Sequence, residues 1–300
     1  MMSSSEDGVR SLWSERVEYV ELSSAQTEPS PTSRPLPLFL LGGALYPQGQ
    51  TVLQVFEMKY RTMMFDCANA DDTFGYMHTD LSGRIASVGT LCKITSRQLE
   101  DDGRQIIAVE GKSRFRINKI MKTLPYVLAE VEDIDDIPPA DDAAAAKLEV
   151  EVYDMLKYYI RLVRAAGPNK QLAISHACKR SRPTLAGTVI DQQANAQRRT
   201  RFSFALASMI QMQQSKESQL LLQTTSVVQR LRAEKDILQQ ATEAVADMML
   251  GSGDLTAELR DSIKLSTFSG SDDDADILPP DIVEEETEEV ADEWDLSNIT

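Results

Sequence analysis

LQVFEMKYRTMM (residues 53–64) changes period halfway along its length. Leu53, Val55 and Glu57 alternate as on a strand, whereas Tyr60, Met63, Met64 and Cys67 fall on one face of a helix. Glu57 and Arg61 stand four apart, where opposite charges support a helix by about 0.2–0.5 kcal/mol. An acid at a helix start is also favoured by the backbone dipole. The stretch therefore predicts a strand-to-helix junction, with Glu57 as a structural residue rather than a catalytic one.

Outward from this junction the signals are mainly those of strands. An apolar run punctuated by Gly and Pro, LPLFLLGGALYPQGQ (36–50), precedes it. FGYMH (74–78), SVGTLCKIT (87–95), RQIIAVEG (104–111), SRFRINKIM (113–121) and YVLAEVED (126–133) follow, each short, β-branched or aromatic, and bounded by turn residues. Asp101, Asp102 and Gly103 mark a hairpin, because Asp-Gly accepts the positive φ angles of tight turns. Closely spaced strands with one short helix predict a compact, barrel-like β domain.

The pattern changes at Pro138 and Pro139. Leu148, Val152, Met155, Tyr159, Leu162 and Ala166 recur at steps of three and four, predicting a helix that ends at Gly167 and Pro168. Thr224, Val228, Leu231, Leu238, Val245 and Met249 form a second such stripe, interrupted by Lys235 and Thr242. An internal helix packed on its neighbours is favoured over a dimeric coiled coil. The expected organisation is a disordered N-terminal segment and linker over 1–35, a β domain over 36–137, a helical extension over 138–250 and an acidic disordered tail over 251–300.

Charge supports the tail. The formal net charge is −16, yet residues 271–300 hold 13 Asp and Glu and no Lys or Arg, which leaves the remaining body close to −3. Cys67, Cys92 and Cys178 are too few and too scattered for a disulfide framework, and no CxxC pair begins a zinc site. The longest apolar run, Leu36 to Leu45, is far short of a membrane span and is broken by Pro37, Gly42 and Gly43. The first 35 residues fit neither a secretory signal nor an acid-poor transit peptide. The expected setting is intracellular and cytoplasmic, or a plastid or other organelle if a targeting segment is missing; no membrane partner is expected.

Chemistry-bearing motifs are absent. There is no GxxxxGK[ST] phosphate loop, no GxGxxG turn and no GxSxG elbow. His78 and His176 lie far apart, and the HAC triplet at 176–178 has no neighbours to complete a tetrahedral metal set. No catalytic residue, cofactor or metal is expected. Two basic clusters, KRSR (179–182) and RRTR (198–201), supply Lys179, Arg180, Arg182, Arg198, Arg199 and Arg201 as a candidate dock for a polyanion or for the acidic tail. A near-neutral body without a wider basic stripe argues against nucleic acid as the partner.

The motifs together resemble a known family. LPLF (36–39), LYPQGQTVLQVFEMKYRTMM (45–64), FGYM (74–77), VGTLCKI (88–94), DGRQIIAVEGKSRFRI (102–117) and PYVLAEVE (125–132) are similar, in order and spacing, to the amino-terminal substrate-binding domain of Lon proteases. FSFALASMIQMQQSKESQLLLQTTSVVQRL (202–231) resembles the helical extension of that domain. The resemblance implies an α+β fold, a PUA-like β pseudobarrel followed by an α-helical bundle. The chain departs from full-length Lon in lacking the AAA+ module and the Ser/Lys peptidase. It also lacks the CxxC pairs of zinc domains found beside Lon-type domains elsewhere. FLLGGALYP (39–47) carries two glycines where Lon has a Pro-Asn-containing turn. The implied function is a non-enzymatic protein-binding module for unfolded or specific client proteins. Its surface is expected where barrel meets helices, with Phe39, Tyr46, Phe56, Tyr60 and Phe74 as candidate contacts. RNA binding through the PUA-like fold and the basic clusters is the competing reading.

Overall fold

The structure, a computed structural model, describes residues 11–20, 33–166, 174–183, 192–210 and 215–252. The strands, in chain order, are β1 (Tyr19–Val20), β2 (Arg34–Leu41), β3 (Gln50–Val55), β4 (Thr73–His78), β5 (Ile85–Ala86), β6 (Val88–Leu99), β7 (Gln105–Lys122) and β8 (Val127–Ile134). The helices are α1 (Met58–Ala68) between β3 and β4, then α2 (Asp142–Ala165), α3 (His176–Arg180), α4 (Gln192–Met209), α5 (Ser215–Gln223) and α6 (Val227–Ser252).

The main sheet runs β3-β7-β6-β4-β2-β8, and β8 returns to pair with β7. Five strands thus close a pseudobarrel, while β3 extends the sheet from the first half of β7. Only β2 and β4 pair in parallel, Leu38 lying opposite Gly75. Strand alternation buries both faces of β2: Leu38 enters a cluster with Met77, Val88, Phe115 and Val131, and Phe39 enters one with Tyr60, Met63, Met64, Cys67 and Phe74. The second cluster is the underside of α1. Its buried residues are those that the change of period at residues 53–64 predicts.

At the junction itself the polar partners differ from the expected pair. Arg61 N–H donates to the Glu57 carbonyl at 2.9 Å, which starts the helix. The Glu57 carboxylate pairs with Lys59 at 2.8 Å. Arg61 instead lies over the β6–β7 hairpin, where a Cβ on Gly103 would come within 2.3 Å of its Nη2. Gly103 has φ +81°, the conformation that the Asp-Gly signal predicts. The hairpin therefore lies directly against Arg61 of α1.

Two stretches expected as separate strands form one, the 18-residue β7. The register with β6 skips Lys112, so the break in pattern is a bulge and not a turn. Gly111 sits at the bulge because the backbone of the 45–49 loop passes over it. A Cβ there would stand 2.4 Å from the Tyr46 carbonyl oxygen. Gln48 N–H donates to the Gly111 carbonyl at 2.7 Å, and Gly111 N–H to Gly49 at 2.8 Å.

The N-terminal segment also departs from expectation. Residues 11–20, placed in a disordered stretch, are ordered: Leu12 and Val17 are buried in the barrel cluster, and Tyr19 and Val20 pair with Ala86 and Ile85. Gln223 holds this segment as a backbone would. Its amide donates to the Arg16 carbonyl at 2.8 Å and accepts from Glu18 N–H at 3.1 Å. Residues 1–10 and 21–32, the helix stop at Gly167 and Pro168, and the acidic tail lie outside the described residues.

The helical extension shares the barrel's core. Leu220, Leu221 and Leu222 of α5 and Phe204 of α4 complete the cluster around Phe115. A second cluster joins Val152, Leu156 and Ile160 of α2 to Leu231 and Leu238 of α6. The buried face of α2 is thus shifted toward Leu156 and Ile160 from the predicted stripe, because Glu149 and Tyr153 are buried as well. In α6 both apparent interruptions have partners. Lys235 reaches Glu151 of α2 at 2.8 Å, and Thr242 donates to the Leu238 carbonyl at 2.6 Å.

Gly111→Ala should lower stability by about 1–3 kcal/mol, since the clashing atom is backbone. Gly42→Ala, with no heavy atom within 4 Å of the added Cβ, should stay within about 0.5 kcal/mol of the parent. Denaturant midpoints of the two variants check the contrast.

Candidate functional site

The carboxylate of Asp136, just beyond β8, is the meeting point of barrel and helices. It accepts from Arg114 of β7 at 2.6 Å, from Arg230 of α6 at 2.5 and 3.1 Å and from Thr200 of α4 at 2.7 Å. Its side chain is only 8% exposed. Burial alone would raise its pKa, but the Arg230 and Arg114 charges and their hydrogen bonds hold it below the usual carboxylate range. Arg114 also donates to the carbonyls of Leu222 and Thr224, at 3.0 and 2.7 Å. Both guanidinium groups lie over the Phe204 ring, Arg230 at 4.0 Å and Arg114 at 4.9 Å from its centroid. Burial, then the neighbouring Arg230 charge, bring Arg114 down to about 10, which leaves it protonated at neutral pH.

A relay leads inward from this hub. Arg230 Nε–H donates to Ser203 Oγ at 2.8 Å, and Ser203 O–H donates to Glu234 at 2.8 Å. The other Glu234 oxygen is buried without a partner. Burial pushes the Glu234 carboxyl up to about 8, with Arg230 and Ser203 opposing. At neutral pH Glu234 is therefore largely neutral, and two arginines face one carboxylate. None of Asp136, Arg114, Arg230 and Glu234 was a predicted site residue. The available signal was charge inside apolar patterns, Arg114 within SRFRI and Arg230 and Glu234 along the α6 stripe.

The two basic clusters are brought together, but by an acid. Arg198 donates to Glu149 at 2.5 and 2.8 Å and to the carbonyls of Ser181 and Arg182 at 2.9 and 2.8 Å. Arg199 donates to Glu149 at 3.2 Å and to Asp142 at 2.7 Å. Arg199 is fully buried, and its Nη2 has no partner. Of the expected dock, Arg180, Arg182 and Arg201 are exposed and Lys179 is half-buried. The physical reason is ordinary: a helix cannot place four consecutive residues on one face, so part of RRTR turns inward and finds the buried Glu149 and the partly exposed Asp142.

Beside the hub a cleft of about 830 Å³ opens between barrel and helices. Its cations are Lys112, Arg114, Arg199 and Arg201, its anions Asp135 and Asp136, and its apolar walls include Ile137, Phe204 and Val227.

Of the aromatic candidates, Phe39, Tyr46, Tyr60 and Phe74 are buried. Phe39 stacks on Tyr60 at 4.0 Å, and Tyr46 on Phe204 at 6.1 Å. Tyr60 and Tyr46 point their hydroxyls at backbone carbonyls of Leu40 and Ser218. They are core aromatics with satisfied polar ends. Phe56 alone is exposed, at 64%, and it has company: Met58 is 70% and Phe65 66% exposed. All three belong to α1 and its entry. Leu99 lies at the same end of the barrel, since Val55 and Leu99 flank Gln105 in register. Across α1, Tyr126 donates to Asp66 at 2.6 Å, which brings the β7–β8 turn with exposed Met121 and Leu124 alongside.

His78 is buried in β4 and His176 exposed at the start of α3. Cys178 is buried, and burial pushes its thiol up to about 12. Among the described residues no group of three or more His, Cys, Asp or Glu could hold a metal, and no helix is long and apolar enough to cross a membrane.

A closed β pseudobarrel locked to a helical bundle places the protein in the α+β class. The family model described as the ATP-dependent protease La (Lon) substrate-binding domain matches residues 35–240, and the chain belongs to that family. Solved structures similar to it include a Lon N-terminal domain protein from Xanthomonas campestris, 20% identical with a TM-score of 0.43, aligned over 66% of this chain and 95% of that one. Another is the N-terminal domain of the Mycobacterium avium complex Lon protease, 16% identical with a TM-score of 0.49, over 69% and 98%.

Asp136→Asn should cost about 3–5 kcal/mol, because it leaves two buried guanidinium groups undercompensated; chemical denaturation measures the loss. Glu234→Gln tests the opposite sign. The native state keeps the Glu234 proton up to about pH 8, whereas an unfolded chain releases it near about pH 4.3. Between these values the native state binds more protons, so this group makes stability fall as pH rises. The melting temperature of Glu234→Gln should therefore gain on the parent from pH 5 to 8 and level off above it.

Proposed function

We propose that the chain is a non-enzymatic protein-binding module and that α1 carries the surface that meets unfolded or specific client proteins. One observation supports this above the others. Met58 and Phe65 are exposed on α1 and Phe56 at its entry, while Tyr60 on its inner face packs with Phe39 and Phe74. The other described phenylalanines, Phe39, Phe74, Phe115, Phe202 and Phe204, are all buried, so the exposure of Phe56 and Phe65 stands out. Clustered exposed apolar side chains mark interaction sites, and methionine adapts its shape to varied apolar partners. Leu99, Met121 and Leu124 widen the surface on either side. Family membership agrees with the reading, since the domain is described by the binding of substrate in an ATP-dependent protease.

RNA binding draws less support. Arg198 and Arg199 are committed to Glu149 and Asp142, which removes the centre of the basic surface on which that reading rests. The non-enzymatic part is supported by the match, which is to a substrate-binding domain, and by a sequence without a phosphate loop.

The test is binding of a permanently unfolded, carboxymethylated protein at low and high salt. Phe56→Ser with Phe65→Ser should weaken it at least about tenfold, the loss of about 1.4 kcal/mol. Surface changes of this kind should leave stability within about 0.5 kcal/mol. Unaltered binding by the double variant sinks the assignment to α1, and binding that collapses with salt favours a charged ligand. Purified protein should hydrolyse neither ATP nor casein; activity that survives repurification would count against a purely binding role.

A further inference from the structure

We infer that the cleft beside Asp136 is a docking site for the acidic C-terminal segment of the same chain, with Trp294 as its anchor. The site is distinct from the α1 surface and does not depend on that surface binding clients.

Charge is the first argument. Four cations and two anions line the cleft, within a body that is close to neutral. Asp136 is already shared by Arg114 and Arg230, so it offers little repulsion to an incoming acid. Arg199 supplies the second, independent observation. It is fully buried, lines the cleft, and keeps its Nη2 without a hydrogen-bond partner. A buried guanidinium N–H left unpaired is costly, and a carboxylate is its natural acceptor. Arg201, exposed at the rim, extends the same potential outward, as does Lys112, whose side chain is 46% exposed and pairs with Glu110 at 2.7 Å.

Shape and chemistry select the anchor. Ile137, Pro138 and Pro139 give the cleft an accessible apolar wall over the buried Phe204 and Val227, and its volume suits an aromatic side chain with flanking residues. In the sequence Asp292-Glu293-Trp294-Asp295-Leu296, carboxylates stand on both sides of the only tryptophan beyond residue 13. The ring would lie against the apolar wall while its neighbours reach Arg201 and Lys112 at the rim.

Reach is the third argument. Val227, at the start of α6, lines the cleft, and α6 ends at Ser252. At about 1.5 Å per residue the helix spans about 38 Å. Trp294 lies 42 positions beyond Ser252. A random coil of that length would have a root-mean-square span of about 32–39 Å. Effective concentration is greatest when the span of a linker matches the distance it must cover, and here the two agree.

The test uses the full chain with Trp13→Phe, which leaves Trp294 as the sole tryptophan. Acrylamide quenching at low salt should be several-fold weaker than in a synthetic peptide of residues 286–300. It should rise to the peptide's value in 0.5 M salt and in the Lys112→Glu, Arg201→Glu variant. A Trp294 as accessible as in the peptide overturns the inference, as does protection that survives the charge reversal. Protection that grows with protein concentration means that the occupant is the tail of a second copy, and it too overturns docking within one chain. Should Trp13→Phe fail to fold, carbodiimide coupling of the unaltered chain decides: a link from Lys112 to Asp292, Glu293 or Asp295 is expected, and its absence rejects the site.

Discussion

Asp136 is the residue on which the arrangement of the two halves turns. One carboxylate collects β7 through Arg114, α4 through Thr200 and α6 through Arg230, the last of them 94 positions away from it along the chain. Apolar burial drives barrel and bundle together without fixing their mutual angle, because it has no direction. Hydrogen bonds from two planar guanidinium groups do have one. The Phe204 ring, covered by both cations, is held at the boundary where the barrel cluster and the helices meet. Such a set contributes less net stability than its bonds suggest, since each charge is desolvated. Its distinctive effect is to specify one docking geometry.

This recasts the sequence motifs that carry the family resemblance. The RFRI segment contains Arg114, the Arg-Leu of the last helix contains Arg230, and the QLLL turn contains Gln219, which donates to the Val88 carbonyl at 2.9 Å. These residues join barrel to bundle. Gly111 of the VEG segment serves the barrel's own closure beneath the Tyr46 loop. The motifs mark a scaffold, and a scaffold signature leaves open which surface meets a partner.

The same distinction explains what the sequence revealed. Periodicity reports which face of an element is apolar, so the strand-to-helix change at Glu57, the hairpin at Gly103 and the helix face with Met63 and Met64 were legible. Periodicity says nothing about which element supplies the other half of a polar contact. Arg61 has an acid four residues before it, yet tertiary packing sends it to the β6–β7 hairpin. Glu149 reads as a solvent-facing helix position and is buried because Arg198 and Arg199 arrive from α4. Residues 11–20 looked like a tether, since Leu12, Val17 and Tyr19 show no period longer than their own few residues. Their order depends on Gln223, more than 200 positions away. Aromatic candidates failed for a related reason. Size and apolarity favour burial and binding alike, and only exposure separates Phe56 from Phe39, Tyr46, Tyr60 and Phe74.

The proposed recognition surface and the charge-locked junction would place opposite demands on a chain, and the fold sets the two regions apart. The junction needs directed, desolvated contacts, which tolerate little movement. A surface for varied apolar segments needs side chains that can repack in water. Helix α1 meets the second demand because the first is satisfied beneath it: Tyr60, Met63, Met64 and Cys67 anchor one face, and Arg61 and Asp66 tie its flanks to the neighbouring turns. The remaining face, with Met58 and Phe65, is then free of any packing duty. Binding there disturbs no core contact, so affinity for different partners can vary without a cost in fold stability.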